Sequence, residues 1–296
     1  MGTVLLVQEP RTKRTVPNGP PVKYMKFSII VVSLNAGEKL IDTVKNILAQ
    51  KDVDLEIVLK DGLSKDGSVD AVKALNDNRV RIFEQKDSGI YDGMNQGISN
   101  ATGDYFIFMN CGDFFYDDMV LARFSKAAEE YIASNGEPSE SKPLILYGSR
   151  FASTTGNVEY ISPKITPLVC YRNIPCHQAI LYSKECFAKR LFRPEYKVRA
   201  DYEHFLWSVL KNNTATVYVE EPVCRYEGGG YSDNPKQAKR SAEEHKEITH
   251  MYLSAWQLFY CKMYMIVTLQ PLRHAISTGP LSGLYNSIVK KIYHRG

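Results

Sequence analysis

The chain has 296 residues, 44% of them hydrophobic and 24% charged, enough to bury a full core and inconsistent with a disordered or low-complexity protein. Its six cysteines, at 111, 170, 176, 186, 224 and 261, include no C-x-x-C pair, which argues against a zinc ribbon or disulfide framework and for reduced thiols in the cytoplasm. The net charge of +4 is local: residues 251–296 carry five Lys or Arg and no Asp or Glu, so residues 1–250 sum to −1.

Residues 1–24 hold four prolines and the basic side chains of Arg11, Lys13, Arg14 and Lys23 without a long apolar segment. They read as a disordered arm rather than a secretory signal, with Met25 as the expected natural start. Ser28-Ile29-Ile30-Val31-Val32-Ser33 is an apolar run of the kind a sheet buries on both faces. Leu34-Asn35-Ala36-Gly37 follows, after which Leu40, Val44, Ile47 and Leu48 recur at helical spacing. A second strand, residues 55–59, ends in Lys60-Asp61-Gly62-Leu63-Ser64-Lys65-Asp66-Gly67-Ser68, and a third, residues 80–84, leads into Gln85-Lys86-Asp87-Ser88-Gly89. Asp61-Gly62 taken alone is a turn signal.

A helix is expected over residues 90–99, placing Asp92 and Asn95 on one face. Asp104 ends a turn, and the apolar strand of residues 105–109 carries Asn110-Cys111-Gly112-Asp113 to the carboxyl edge of the sheet, where open α/β proteins bind ligands. Asp113 reads equally in two ways. It is a hard oxygen ligand suited to Mg²⁺ or Mn²⁺, and it is a good cap for a helix suggested over residues 117–134. Cys111 is too soft for those metals and reads as a small packing residue.

In the second half, Cys176-His177-Gln178 precedes an apolar stretch over residues 179–182. Arg199-Ala200-Asp201-Tyr202-Glu203-His204 opens an amphipathic helix whose dipole favours an ionised Asp201, able to accept a proton; a first-turn acid without chemistry is an equal reading. Gly228-Gly229-Gly230, between Tyr226 and Tyr231, reads as a mobile loop and not as a dinucleotide fingerprint. The tail mixes Tyr252, Trp256, Phe259, Tyr260, Tyr264, Tyr285 and Tyr293 with its basic residues, the composition of helices at a membrane surface. Residues 251–270 are long enough to span a bilayer, but Lys262 near the centre costs roughly 2.5–3.5 kcal/mol, and Gln257 and Pro271 disfavour a span further. The expectation is peripheral contact with the anionic cytoplasmic leaflet.

Four ordered motifs now stand together: DGLSKDG from Asp61, DSGIYDGMNQGI from Asp87, ATGD from Ala101 and MNCGD from Met109. They resemble those of the family 2 glycosyltransferases of GT-A fold, especially bacterial polysaccharide-assembly members, over residues 27–230. The resemblance implies an α/β chain with a mostly parallel central sheet flanked by helices: a catalytic domain over residues 25–235 and a basic, aromatic helical extension over residues 236–296. It implies an inverting enzyme that moves a hexosyl or N-acetylhexosaminyl group from a nucleotide-diphospho-sugar, foremost a UDP-sugar. The acceptor is a saccharide hydroxyl, commonly lipid-linked in that group, in cell-surface polysaccharide biosynthesis.

Residue by residue, the resemblance implies that Ser33 and Asn35 meet the nucleotide and that Asp61 accepts from the base. It sets Lys86 near the diphosphate and Asp87 and Asp92 on the ribose and sugar side, with Gly89, Asn95 and Asn110 also among the donor-binding residues. Asn110 and Asp113 stand where many relatives have two aspartates, leaving Asp113 the sole direct carboxylate to Mn²⁺ or Mg²⁺, so metal and donor are expected to bind together. His177 becomes a diphosphate or metal contact, or remains a structural histidine. Asp201 becomes the general base. A sugar nucleotidyltransferase is disfavoured, because no glycine-rich basic loop follows Ser33, and no recognition module supports nucleic acid as a partner. The remaining alternative is a catalytically silent sugar-nucleotide-binding or assembly subunit.

Overall fold

The structure, a computed structural model, describes residues 25–172, 174–226, 235–268, 283–285 and 287–288. The expected arm over residues 1–24 and the glycine triplet Gly228–Gly230 lie outside them. In chain order the elements are β1 (Lys26–Ser33), α1 (Glu38–Leu48), β2 (Asp54–Asp61), α2 (Ser68–Lys73), β3 (Val80–Glu84), α3 (Ile90–Asn100), β4 (Tyr105–Asn110), β5 (Phe114–Phe115) and α4 (Val120–Asn135). There follow β6 (Leu144–Ala152), β7 (Asn157–Glu159), α5 (Pro167–Arg172), β8 (Ile180–Ser183), α6 (Ala200–Lys211), β9 (Ala215–Tyr226), α7 (Pro235–Tyr252) and α8 (Ala255–Val267).

The strands form one sheet in the order β3-β2-β1-β4-β8-β6-β9-β5, with β7 on β6. β3, β2, β1 and β4 are parallel, as the strand-helix alternation requires. The second half is mixed: β8 runs antiparallel to β4 and β6, and β6 runs parallel to β9. Antiparallel pairs such as β6–β7 need only a tight turn, and no helical crossover in the sequence announces them. Register aligns Ser33 with Asp61, Asp61 with Glu84, and Val32 with Asn110, so the polar strand ends meet at one edge.

β1 is apolar throughout because helices cover both faces. Phe27, Ile29 and Val31 join one buried cluster with Leu40, Val44 and Ile47 of α1, while Ile30 joins another with Met94 and Ile98 of α3. Each such aliphatic or aromatic side chain contributes about 1.5–3 kcal/mol on burial. Helix α3 lies directly on β1 because Gly93 and Gly97 face it; a Cβ there would stand 2.7 Å from Val32 Cγ1 and 2.5 Å from Ile30 Cγ2. That approach fixes the depth of the helix carrying Tyr91 and Asp92.

Asp113 does not cap α4. The helix begins at Val120 with Met119 at its N-cap, and Asp117 Oδ1 accepts from Met119 N at 2.9 Å. The chain after Asp113 instead forms β5, which pairs antiparallel with β9 and separates Asp113 from the helix. Helices α7 and α8 continue the described fold: Ile248 packs in the α3–α6 cluster, and Cys261 is buried with its thiol 3.9 Å from Pro167 O.

Candidate active site

The first two strand-end loops are stitched together. Asp61, fully buried at the end of β2, accepts from Ser64 N and Ser64 Oγ at 2.6 Å each, and Ser64 Oγ accepts from Asn35 N at 2.7 Å. Asn35, held at φ +48°, returns a bond by accepting from Lys65 N at 2.9 Å, and Gly37 N donates to Asp66 Oδ2 at 2.8 Å. Asp61 thus closes a turn, as its Asp-Gly context alone implies, and does so on the floor of the first loop. Leu34 and Leu63 remain exposed beside it, an apolar pair at the sheet edge. Ser33 is buried below, and the Cys111 thiol donates to the preceding carbonyl, Val32 O, at 3.5 Å. Burial pushes that thiol up to about 11, in keeping with a neutral packing residue.

The third loop carries Lys86, which is exposed, and Asp87. Asp87 Oδ2 accepts from Lys60 Nζ at 2.7 Å, and its Oδ1 from Gly89 N at 3.1 Å. Lys60 is fully buried and also donates to Asp61 O at 3.1 Å, so one cation ties the second loop to the third. A lysine one residue before the end of β2 is its only mark in the sequence. Gly89 has φ +139°, a conformation that a side chain opposes, and α3 starts immediately after it.

Asp92 and Asn95 share a helix but not a task. Asp92 accepts from Ser88 N at 2.7 Å and Ser88 Oγ at 3.0 Å, and those bonds, the backbone one foremost, hold its carboxyl below the usual range. Asn95, the other residue of that pair in the expected donor-binding set, is engaged with the protein's own backbone. Its amide pairs with the backbone of Phe192 through Nδ2 to O at 2.9 Å and N to Oδ1 at 3.0 Å. Spacing puts the two side chains on one helix face, but the segment packed beside Asn95 claims its polar atoms.

The fourth loop meets the second half of the chain at the 3-10 turn His177–Ala179. His177 Nε2 lies 2.9 Å from Asn110 Nδ2, and His177 Nδ1 lies 3.7 Å from Asp201 Oδ2. The next residue, the buried Gln178, donates through Nε2 to Asp113 Oδ2 and accepts from the Cys176 thiol. Two consecutive side chains therefore connect the Asn110–Asp113 loop to the start of α6. Asn110 Oδ1 is buried with no hydrogen-bond partner among the described residues. A buried, unsatisfied hard oxygen near a carboxylate suits a divalent cation completed by phosphate oxygens. No cluster of three His, Cys, Asp or Glu fit to hold a metal occurs among the described residues.

Asp201 sits in the first turn of α6, partly exposed, with Oδ1 2.7 Å from Tyr91 Oη. The Tyr91 hydroxyl is also 2.8 Å from Val198 O. Burial first, then the charge of Asp201, pushes the Tyr91 phenol well above its ordinary value, so it stays protonated and donates. The backbone ahead of Asp201 is clamped from α7: Glu244 accepts from Lys197 N at 2.8 Å, Val198 N at 3.0 Å and Arg199 N at 2.9 Å. Lys60, Tyr91 and Glu244 carry no functional signal of their own in the residue pattern. Tyr91 and Gln178 lie inside recognisable motifs, whereas Glu244 looks in sequence like any exposed helix acid.

The chain matches the family model "Glycosyl transferase family 2" over residues 28–138. A "PGL/p-HBAD biosynthesis glycosyltransferase" of Mycobacterium bovis is 32% identical over 212 residues, covering 70% of this chain and 79% of that protein. Among solved structures, Staphylococcus aureus TarS 1-349 in complex with UDP-GlcNAc superposes with a TM-score of 0.57 at 17% identity, over 71% of this chain and 61% of that one. The mannosyltransferase PcManGT of Pyrobaculum calidifontis, in complex with GDP-Man and Mn²⁺, superposes with a TM-score of 0.58 at 15% identity, over 93% and 82%. These structural likenesses establish the GT-A fold. With the family's motifs gathered at one sheet edge and a relative matched along most of its length, the chain belongs to glycosyltransferase family 2.

Proposed function

We propose that this protein is an inverting, nucleotide-sugar-dependent glycosyltransferase with Asp201 as its general base. The observation that carries the reading is the His177–Gln178 turn, which touches Asp201 with one residue and Asp113 with the next. In this reading residues 25–235 form the catalytic domain and residues 236–296 an extension. Ser33, Asn35 and Asp61 frame the nucleotide beside Leu34 and Leu63. Lys86 reaches the diphosphate from the rim, while Asp87, Gly89 and Asp92 shape the ribose and sugar side.

Asp113 and Asn110 would hold Mn²⁺ or Mg²⁺, with His177 on the diphosphate side. A bound divalent cation supplies neutralisation of charge on the departing nucleoside diphosphate. The chain's own part is to orient the acceptor hydroxyl and take its proton on Asp201 as that oxygen attacks the anomeric carbon from the face opposite the leaving group. The donor is read as a UDP-sugar carrying a hexosyl or N-acetylhexosaminyl group; the solved neighbours bound to UDP-GlcNAc and GDP-Man support a nucleotide sugar.

The acceptor is read as a lipid-linked saccharide, met at the cytoplasmic face of the membrane in cell-surface polysaccharide assembly. In support, α8 exposes Trp256, Phe259, Tyr260, Met263, Ile266 and Val267, positions that recur on one helical face. No helix among the described residues is long and apolar enough to cross a membrane, so the contact would be peripheral. The testing experiment is a screen of UDP-, GDP- and dTDP-sugars for nucleoside diphosphate release, with Mn²⁺ or Mg²⁺ and with octyl glycosides as acceptors. Release that depends on acceptor and metal supports the reading; no release from any pair counts against it.

A further inference from the structure

The contacts around Asp201 show how the two oxygens of its carboxylate differ. Oδ1 lies 2.7 Å from Tyr91 Oη, and Oδ2 faces His177 Nδ1 at 3.7 Å, on the side of Asn110. Tyr91 is buried, and its hydroxyl lies between two acceptors, Asp201 Oδ1 and Val198 O, the latter at 2.8 Å. A phenol has one proton to give, and an ionised carboxylate is a stronger acceptor than a peptide carbonyl. Val198 is itself held: its N–H and those of Lys197 and Arg199 all point at the Glu244 carboxylate, which Arg240 Nε also meets at 3.0 Å. Arg199 Nε donates to Ser241 O and Oγ at 2.9 Å each, so the strap before α6 is bound to α7 along both backbone and side chain.

We propose that Tyr91 is a positioning residue for the transfer: its hydroxyl, beside the strap that Glu244 clamps ahead of Asp201, donates to Oδ1 of Asp201 and leaves Oδ2 as the oxygen that takes the acceptor's proton. The inference rests on the reading of Asp201 as the base and assigns the work within it. In the step so defined, the acceptor O–H bond breaks and its proton moves to Oδ2. The acceptor oxygen forms the new bond to the anomeric carbon, and the bond from that carbon to the diphosphate oxygen breaks with its electron pair leaving on the nucleoside diphosphate. Tyr91 touches neither sugar nor acceptor in this arrangement. Its effect is to stop the carboxylate from rotating, and mispositioning a reacting group by a small distance is costly in rate.

The test compares Tyr91→Phe, Glu244→Gln and Asp201→Asn, using the nucleotide sugar and octyl glycoside of highest turnover in the screen above, with UDP and Mn²⁺ as the binding probe. Tyr91→Phe is expected to lower kcat about 10- to 100-fold, the range of a hydrogen bond to a charged group, with the KM for donor and the Kd for UDP unchanged within about twofold. Replacing Tyr91 by p-aminophenylalanine, which returns an N–H donor to the same place, should recover most of the lost kcat. Glu244→Gln should lower kcat in the same pattern, by loosening the strap. Wild-type kcat in Tyr91→Phe would overturn the proposal, as would a loss of UDP binding that parallels loss of cooperative thermal unfolding. Wild-type turnover in Asp201→Asn would instead remove the base itself, and the role of Tyr91 would fall with it.

Discussion

His177 Nδ1 stands 3.7 Å from Asp201 Oδ2, which places the turn after the Cys176 thiol against the first turn of α6. The contact matters because His177 also reaches Asn110 through its other nitrogen, at 2.9 Å. A histidine before a strand and an acid at a helix start are unremarkable separately. Together they join the loop that carries Asn110 to the first turn of α6.

Asp201→Asn keeps the shape of the side chain and removes its capacity to accept a proton. The expected outcome is a loss of about 10²- to 10⁴-fold in nucleoside diphosphate release, with UDP binding retained by calorimetry. A silent sugar-nucleotide-binding subunit would show no turnover to lose and equal UDP affinity in both forms.

Gln178→Ala withdraws the amide that donates to Asp113 Oδ2. Outer partners of a metal-holding carboxylate typically govern about 10- to 100-fold of metal affinity or activity. Titrating Mn²⁺ into the release assay should move half-saturation upward by that order, and saturating metal should restore most of the rate. An unchanged Mn²⁺ curve would separate Asp113 from metal binding.

Gly97→Ala tests the seating of α3. The added methyl would lie 2.5 Å from Ile30 Cγ2, a fully packed strand atom, so the helix or strand must shift. Overpacking of this kind costs about 1–3 kcal/mol. Urea denaturation should show a lower midpoint with little change in slope, and Tyr91 on the same helix should carry part of the shift into a lower kcat.

Glu56 sets an acid limit on stability at the opposite edge of the sheet. Burial alone would raise its carboxyl, but hydrogen bonds from Ser28, from Thr102 N and Oγ1, and from Arg81 outweigh that and hold it near about 2. A carboxylate lowered on folding contributes its stabilisation above the unfolded value and loses it as pH falls toward the folded one. Chemical denaturation from pH 7 to 2.5 should therefore show stability falling below about pH 4.5, with Glu56→Gln less stable at neutral pH and flatter across that range.

Trp256, Phe259 and Ile266 are exposed on α8, and changing all three to Ser should leave the fold intact. Flotation with phosphatidylglycerol-containing vesicles should fall several-fold against wild type, in step with truncation before Met251, and rise little on neutral vesicles. Equal recovery of wild-type and substituted protein on anionic vesicles would assign the apolar face to a protein contact instead.

Much of the first half was legible in the residues because local chemistry and local structure coincide there. Apolar runs of strand length alternate with helical spacing, and each strand ends in a polar loop, so β1, β2, β3, α3 and β4 fall where period and turn residues place them. The motifs then order those loops along one edge, since parallel strands joined by crossovers have no other arrangement available. The tertiary structure alone decided the rest. It paired Asn95 with the backbone of Phe192, refused Asp113 its cap by inserting β5, and buried Lys60 against Asp87. It also brought Tyr91, Glu244 and His177 around Asp201, from elements far apart in the chain. Periodicity reports which face of an element is buried, but the partner waiting on that face is set by long-range packing, and a polar atom takes whatever partner the packing brings within reach.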